Sequence, residues 1–234
     1  MKMDILAIIP ARGGSKGIPR KNLVKVGGKP LITHSIEHAL ASELITRVVV
    51  STDDEQIAKV SIDHGAEVPV MRPTLLAGDE VLDWPVFAHM LSYLRATENY
   101  MPSIVVHLRP TAPYRKFEWI DEAIRLLVNN KGADSVRSVS EPAEHPYRVF
   151  EIEAGYLSPI MSFRHQEPHL IRRQDHPKMY FYNCVLDVTR AETIFDQNSM
   201  TGKKMLPYIM RSQDVIDIDT KQDLEFANFF FGKK

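Results

Sequence analysis

Apolar and polar positions alternate along the chain in two rhythms. Short apolar runs bounded by polar residues or proline predict buried strands, and apolar residues spaced three and four apart predict amphipathic helices. Strands are predicted at Ile5–Ile9, Val48–Val50, Val68–Met71, Ile104–Leu108, within Ala133–Ser140 and at Tyr180–Leu186. Helices are predicted at Leu31–Leu40, Glu55–Asp63, Trp84–Arg95, Phe117–Leu127, Thr189–Phe195 and Lys221–Phe230.

This succession of strands and helices is typical of an α/β fold. Strands separated by helices pair in parallel, so we expect a Rossmann-like, mostly parallel sheet with helices on both faces. The pattern is lost over residues 141–180, where prolines and histidines are frequent and periodicity is weak. A stretch of this length without clear elements is either functional or disordered. We therefore assign residues 1–140 and 181–234 to one α/β domain and residues 141–180 to an excursion from it.

The loop after the first strand concentrates glycines and cations. It holds Gly13, Gly14, Gly17, Arg12, Lys16, Arg20 and Lys21. Glycine lets the backbone approach a ligand closely, and backbone N–H groups together with cationic side chains bind anions. The spacing matches neither the Walker A loop nor the dinucleotide-binding fingerprint. A site for a phosphate-rich ligand is favoured over an ordinary glycine-rich turn with solvated lysines.

Two acidic residues stand close together near the other end of the chain. Asp217 and Asp219 lie two apart in an apolar segment that predicts a strand over Val215–Asp219. Residues two apart in a strand point to the same side, so both carboxylates would lie together and repel unless a cation sits between them. Oxygen ligands that leave room for waters and phosphates suit Mg²⁺. The alternative is that Asp219 caps the following helix while Asp217 is solvated.

The composition argues against several classes of function. The 234 residues include 29 basic and 30 acidic ones, and the net charge of −1 gives no support to a nucleic-acid or membrane-surface role. A single cysteine, Cys184, excludes an intrachain disulfide and suits a reducing compartment. The first apolar run is too short for a signal peptide or a membrane span. We therefore expect a soluble, cytoplasmic protein with neither a membrane nor a nucleic-acid partner.

The segment Ile9–Asn22 reads Ile-Pro-Ala-Arg-Gly-Gly-Ser-Lys-Gly-Ile-Pro-Arg-Lys-Asn and resembles the signature of the acylneuraminate cytidylyltransferases, the CMP-sialic acid synthetases. Further segments resemble motifs of that family in the same order, at Arg72–Pro73, Leu108–Arg115 and Asp217–Leu224. The resemblance implies transfer of CMP from CTP to the anomeric hydroxyl of an acidic nine-carbon 2-keto sugar, with release of pyrophosphate. It also implies the nucleotide-diphospho-sugar transferase type of fold, Mg²⁺ as cofactor, and a homodimer to which the excursion contributes.

The resemblance also assigns roles to individual residues. The nucleotide would be bound by Ala11, Arg12, Gly13, Ser15, Lys16, Lys21, Asn22 and Arg72. The sugar would be bound by Arg109, Thr111, Arg148, Arg173, Gln174 and Asn183. Arg12 and Lys21 would stabilise transition-state charge, and Asp217 and Asp219 would bind the metal and complete the catalytic set.

Departures from the family pattern cluster among the amino acids expected to bind the sugar. Arg109 stands where the family has glutamine, and Asp83 stands near a position where it usually has a small hydroxyl residue. Arginine offers a two-pronged donor suited to a carboxylate, which indicates a different sugar or a stronger carboxylate contact. Legionaminic or pseudaminic acid is therefore as plausible as sialic acid. Two other functions stay open: another sugar nucleotidyltransferase, either CMP-KDO-like or using a sugar 1-phosphate, and a nucleotide-binding protein without turnover.

Overall fold

The described part of the chain forms ten strands and six α-helices. The computed structural model describes residues 3–162 and 164–232. The strands are β1 (Ile5–Pro10), β2 (Lys25–Val26), β3 (Lys29–Pro30), β4 (Arg47–Ser51), β5 (Ile104–His107), β6 (Ser135–Ser140), β7 (Phe150–Glu153), β8 (Tyr156–Pro159), β9 (Phe181–Arg190) and β10 (Met205–Met210). The helices are α1 (Leu31–Leu40), α2 (Glu55–Asp63), α3 (Asp83–Glu98), α4 (Phe117–Asn129), α5 (Ala191–Asp196) and α6 (Lys221–Gly232).

The central sheet has six strands in the order β10-β6-β9-β5-β1-β4. β1 pairs in parallel with β4 and β5, and β10 pairs in parallel with β6. β9 runs antiparallel to both of its neighbours, β5 and β6. The carboxyl ends of the five other strands therefore lie at one edge of the sheet, where ligands bind in α/β folds.

Alternating side chains of β1 pack into two separate cores. Ile5, Ala7 and Ile9 of β1 lie in a cluster with apolar residues of α1, α2 and α4. Leu6 and Ile8 lie in a second cluster with residues of α3 and α5. Because successive residues of a strand point to opposite faces, an uninterrupted apolar run is what a strand covered on both sides requires. The expected α/β architecture, mostly parallel and covered on both faces, is confirmed.

The predicted and observed strands differ in several places. The strand predicted at Val68–Met71 is wrong, because the pairing nearest to it in the described residues is an isolated parallel bridge between Glu67 and Val49. Pro69 follows at once and has no N–H to continue a ladder. Conversely, β10 was not predicted as a strand. It is an edge strand that contains Pro207, and its burial alternates only weakly, so its sequence carries a faint signal.

The excursion over residues 141–180 contains a short antiparallel hairpin, β7–β8, which the sequence pattern did not predict. Its turn is made by Ala154 and Gly155, both with positive φ. The rest of the excursion consists of single helical turns and irregular chain. Within residues 3–162 and 164–232, no helix combines the length and apolarity needed to span a membrane.

Candidate active site

A cavity of about 530 Å³ opens at the carboxyl edge of the sheet. Most of the side chains predicted to bind the nucleotide contribute to its wall, namely Arg12, Ser15, Lys16, Lys21, Asn22 and Arg72. Arg109, Thr111 and Asp219 complete the wall from the β5 turn and from the segment before α6. The structure thus brings the two ends of the chain together around one space.

Hydrogen bonds inside the protein hold the glycine-rich loop in shape. Ala11 donates its backbone N–H to the carbonyl of Ser51, and Gly13 donates its own to Asp53 at 2.9 Å. Asn22 donates its side-chain amide to the carbonyl of Arg12 at 2.9 Å. These three residues were predicted to contact the nucleotide, and their observed bonds shape the loop that carries the cations.

Asp79 pairs with two cations of the glycine-rich loop, Arg12 and Lys16. Each of its oxygens lies 2.7 Å from a cationic nitrogen, one on Arg12 and one on Lys16. The hydrogen bond from Lys16, with the charge of Arg12, lowers the pKa of Asp79. All three side chains are at least partly exposed, so this pairing is easily exchanged for another anion. Asp79 marks where a phosphate group can be bound, and the sequence analysis did not assign it.

A second contact joins the loop to the C-terminal segment. Lys21 donates from Nζ to Asp219 Oδ1 at 2.9 Å and to the carbonyl of Ile218 at 2.8 Å. The backbone at Gly17 approaches Asp219 so closely that an added Cβ would overlap the Asp219 carbonyl oxygen. Ile218 in turn donates its N–H to the carbonyl of Thr111 at 2.8 Å. Three segments distant in sequence are fixed to one another here.

The acidic pair lies in an extended segment, but the predicted strand is wrong, since residues 215–219 join no sheet in the described part of the chain. The expected alternation is nevertheless present. Ile216 and Ile218 are buried, while Asp217 and Asp219 are exposed. Partial loss of solvent around the carboxyl group, together with the charge of Asp219, raises the pKa of Asp217. Two carboxylates therefore lie near each other on one side of the segment.

Asp219 does not cap α6, so that alternative is wrong. Thr220 caps the helix, because its hydroxyl accepts the N–H of Asp223 at 3.2 Å. Asp223 reciprocates by accepting the backbone N–H of Thr220 at 2.7 Å, which is the geometry of a capping box. The side chain of Asp219 is therefore available for Lys21 and for a ligand.

The described residues contain no group of three or more His, Cys, Asp or Glu side chains arranged to hold a metal ion. A pair of carboxylates beside a phosphate-binding loop still fits Mg²⁺. This ion is commonly bound by one or two carboxylates, with waters and substrate phosphates filling its other positions. Asp217, which also shares a hydrogen bond with the Thr111 side chain, and Asp219 are the residues that could hold it.

Arg72 reaches the cavity from the stretch where a third strand was expected. It is buried, and its Nε donates to the hydroxyl of Ser51 at 3.1 Å. Burial lowers its pKa to about 10, which still leaves it charged at neutral pH. A buried cation bonded at the end of β4 is held in a fixed position on the cavity wall.

Arg109 is engaged by two carboxylates of its own chain. Its Nη1 lies 2.7 Å from Asp187 and its Nη2 lies 2.8 Å from Asp83. In the sequence, Asp83 stands out only as a departure from the family pattern, and Asp187 was not predicted as a site residue. The signal for Asp187 was weak, because a single acid within an apolar strand identifies no partner.

The other predicted sugar residues lie apart from this cavity. Arg148 and Arg173 line a second cavity of about 300 Å³ within the excursion. Gln174 is exposed in the single turn Arg173–Asp175. Asn183 is buried in β9, where its side-chain oxygen accepts the N–H of Val185 at 3.3 Å. Within one chain, Arg109 and Thr111 are the predicted sugar residues that reach the main cavity.

Known proteins resemble this chain along almost its whole length. The family described as cytidylyltransferase matches residues 6–230. The pseudaminic acid cytidylyltransferase of Campylobacter jejuni is 30% identical over 98% of this chain and 97% of that protein. The CMP-N,N'-diacetyllegionaminic acid synthase of Legionella pneumophila is 34% identical over 94% of this chain and 93% of its own.

A solved structure of CMP:2-keto-3-deoxy-manno-octonic acid synthetase complexed with CTP has a similar fold. Its TM-score with this chain is 0.72 at 16% identity, covering 98% of this chain and 99% of that one. At this level of identity the similarity concerns the arrangement of strands and helices alone.

The close approach of Gly17 to Asp219 gives a first prediction. In Gly17→Ala the new methyl group must push the loop and the C-terminal segment apart, at a cost of about 1–3 kcal/mol typical of overpacking. We expect CTP binding, measured by titration calorimetry, to weaken by roughly tenfold for the same reason.

The matched control for that variant is Gly14→Ala, because a Cβ at Gly14 meets nothing within 4 Å. It should bind CTP as the unaltered protein does. Equal CTP affinity of the Gly17→Ala variant and the unaltered protein would show that the contact between loop and segment is not needed for binding.

Proposed function

The chain belongs to the cytidylyltransferase family, and from this premise we propose that it transfers CMP from CTP to the anomeric hydroxyl of an acidic nine-carbon 2-keto sugar, with release of pyrophosphate. The observation that carries the proposal is the contact of 2.9 Å between Lys21 and Asp219 on the wall of a single cavity. It supports the proposal because a cation that could bind a phosphate lies beside an acid that could bind a metal ion.

The cationic loop supplies the site for the triphosphate. Arg12 and Lys16 converge on one carboxylate, Asp79, so their nitrogens are spaced to converge on a phosphate group instead. Phosphoryl transfer depends mainly on positioning and on stabilising the charge of the transition state. In this proposal Arg12 and Lys21 stabilise that charge, Ser15 and Lys16 bind the phosphates, and Arg72 contacts the nucleoside.

The carboxylates of Asp217 and Asp219 would hold Mg²⁺ against the phosphates. When bound, Mg²⁺ supplies neutralisation of phosphate charge and a lowered pKa for a hydroxyl or water next to it. Lys21 already donates to Asp219 and so fixes the orientation of one of the two carboxylates.

An acidic acceptor is supported by the charges beyond the triphosphate site. Arg109 lies on the cavity wall beside Thr111, and a guanidinium pairs well with a carboxylate. The two relatives described above are named for pseudaminic acid and N,N'-diacetyllegionaminic acid. A nine-carbon acidic sugar of the pseudaminic, legionaminic or sialic type is therefore the proposed acceptor.

The nucleotide and the acceptor are tested together by pyrophosphate release. We expect release with CTP and at least one of pseudaminic, legionaminic or sialic acid, and little with UTP, GTP or ATP. A Lys21→Ala variant should be slower by a factor on the order of 100, as for the loss of one transition-state donor.

The outcomes of this panel separate the alternatives. Turnover only with an eight-carbon keto acid or with a sugar 1-phosphate would identify another sugar nucleotidyltransferase. Binding of CTP without turnover of any sugar, with Mg²⁺ present, would identify a nucleotide-binding protein without catalysis.

The metal proposal predicts that EDTA abolishes turnover and that added Mg²⁺ restores it. In Asp219→Asn the site loses a charged ligand, so the Mg²⁺ concentration that gives half-maximal rate should rise at least about tenfold. Asp214→Asn is the matched control, because Asp214 lies in the turn just before the segment and pairs with the exposed Arg211, outside the cavity lining. Equal Mg²⁺ requirements in the two variants would contradict the assignment.

We also infer a cytoplasmic homodimer. The single cysteine suits a reducing compartment. The hairpin of the excursion exposes Ile152, Tyr156 and Leu157, the last at 67% of its surface. A cluster of exposed apolar side chains on a short hairpin is typical of an interface, and a second copy of the chain is the proposed occupant.

Light scattering tests the dimer. The unaltered protein should have the mass of two chains, and Ile152→Glu should shift it toward a single chain, because a charge cannot be buried there without a partner. Ile62→Glu, at an exposed position of α2, is the matched control and should leave the mass unchanged. A dimer that survives Ile152→Glu would exclude the hairpin as the interface.

A further inference from the structure

Arg109 lies between two acids that differ in their exposure to solvent. Asp187, in β9, is fully buried, while the side chain of Asp83, in the first turn of α3, is 41% exposed. Burial works against the charge of Arg109, but the charge of Asp187 raises its pKa. The guanidinium is thus a permanent cation with one inner and one outer partner.

The inner partner is fixed by several bonds. Asp187 lies 3.1 Å from Nη1 of Arg137 and accepts a hydrogen bond from the hydroxyl of Tyr182, in addition to its bond with Arg109. Removing a partner from a buried charge costs several kcal/mol, so this carboxylate stays in place.

The outer partner is exchangeable. Asp83 lies on the wall of the main cavity, and its pairing with Arg109 is open to solvent on one side. A partly exposed ion pair contributes little stability, so a competing anion can replace it at small cost. The position on Nη2 that Asp83 occupies is therefore accessible from the cavity.

The local charges favour an anion at that position. The network contains the guanidiniums of Arg109 and Arg137, and fully buried Arg115 adds a third through its bond to the Arg109 carbonyl. His107 adds no charge, because burial and the neighbouring arginines hold its pKa well below 6.5. Asp187 and Asp83 are the carboxylates bonded to Arg109, with Asp217 acting on it without such a bond. If Asp83 left without replacement, three cations would face one bonded carboxylate.

We propose that Asp83 is a specificity-determining residue, whose carboxylate occupies in the free enzyme the place on Arg109 that the carboxylate of the acceptor takes in the complex. The inference rests on the proposed function, since it requires an acidic acceptor. Asp83 then acts as an internal competitor. An acid can displace it and neutralise Arg109, whereas a neutral sugar leaves the pair intact and finds the position filled.

The test is Asp83→Asn, which keeps the shape of the side chain and removes its charge. Removal of a ground-state competitor should lower the KM for the acidic acceptor by about two- to fivefold, the usual range for a partly exposed ion pair. Neither kcat nor the KM for CTP should change by more than about twofold, because the competitor acts on acceptor binding alone.

Two further variants separate this role from a structural one. Asp63→Asn removes a carboxylate from a surface pair with Lys59 and should leave every constant unchanged. In an Arg109→Gln background the position on the guanidinium no longer exists. Adding Asp83→Asn to that variant should therefore not lower the KM for the acceptor.

The outcomes keep the two proposals apart. No pyrophosphate release by the unaltered protein with CTP and any acidic sugar would reject the proposed function. Release by the unaltered protein, with an acceptor KM in Asp83→Asn that is equal or higher, would reject the competitor role and leave the function standing. If Asp83→Asn also lowers the KM for the acceptor in the Arg109→Gln background, the competitor role is rejected, because the effect then does not pass through Arg109.

Discussion

The contact between Lys21 and Asp219 joins the beginning of the chain to its end, and the geometry of the site depends on it. The loop that carries Lys21 follows the first strand, β1, while Asp219 precedes the last helix. At the contact, one segment is a single 3₁₀ turn, Lys21–Leu23, and the other is extended chain that joins no sheet in the described residues. They are held by a lysine that bonds both a carboxylate and a backbone carbonyl, and by a glycine that allows the two backbones to touch. Cation and acid are thereby kept side by side on the wall of the cavity.

The frame around that contact could be predicted from the sequence, because its signals are local. An apolar run followed by glycines and cations defines β1 and its loop, and helices such as α1 and α2 begin and end where their periodicity does. Asp217 and Asp219 were expected on one side of an extended segment, and burial of the isoleucines between and before them enforces this without any partner strand. The strand itself was wrong, because alternation in a sequence reports burial and not pairing.

The acids that face the arginines could not be predicted in the same way. Asp79 and Asp83 lie in or next to a turn, where a carboxylate is ordinary, and Asp187 lies within a strand. Their pairings with Arg12 and Arg109 span 67, 26 and 78 residues of chain, respectively, and no local pattern encodes such distances. The resemblance to a family assigned cationic side chains to substrates. It did not indicate which acidic residues pair with them in the free protein. Arg148 and Arg173 were assigned to the sugar because their motifs match the family. The fold puts them in a separate cavity, which a motif match cannot reveal.

The antiparallel direction of β9 has a consequence for how this enzyme could diversify. β6 ends at the edge that carries the cavity, and β9 starts there, with Ser140 opposite Phe181. Both ends of the intervening excursion are therefore anchored in the sheet at the same rim. Insertions and deletions in such a surface loop are tolerated far better than changes in a core. The excursion can thus be lengthened, shortened or exchanged as a unit, while the register of the sheet strands and the lining of the main cavity stay as they are.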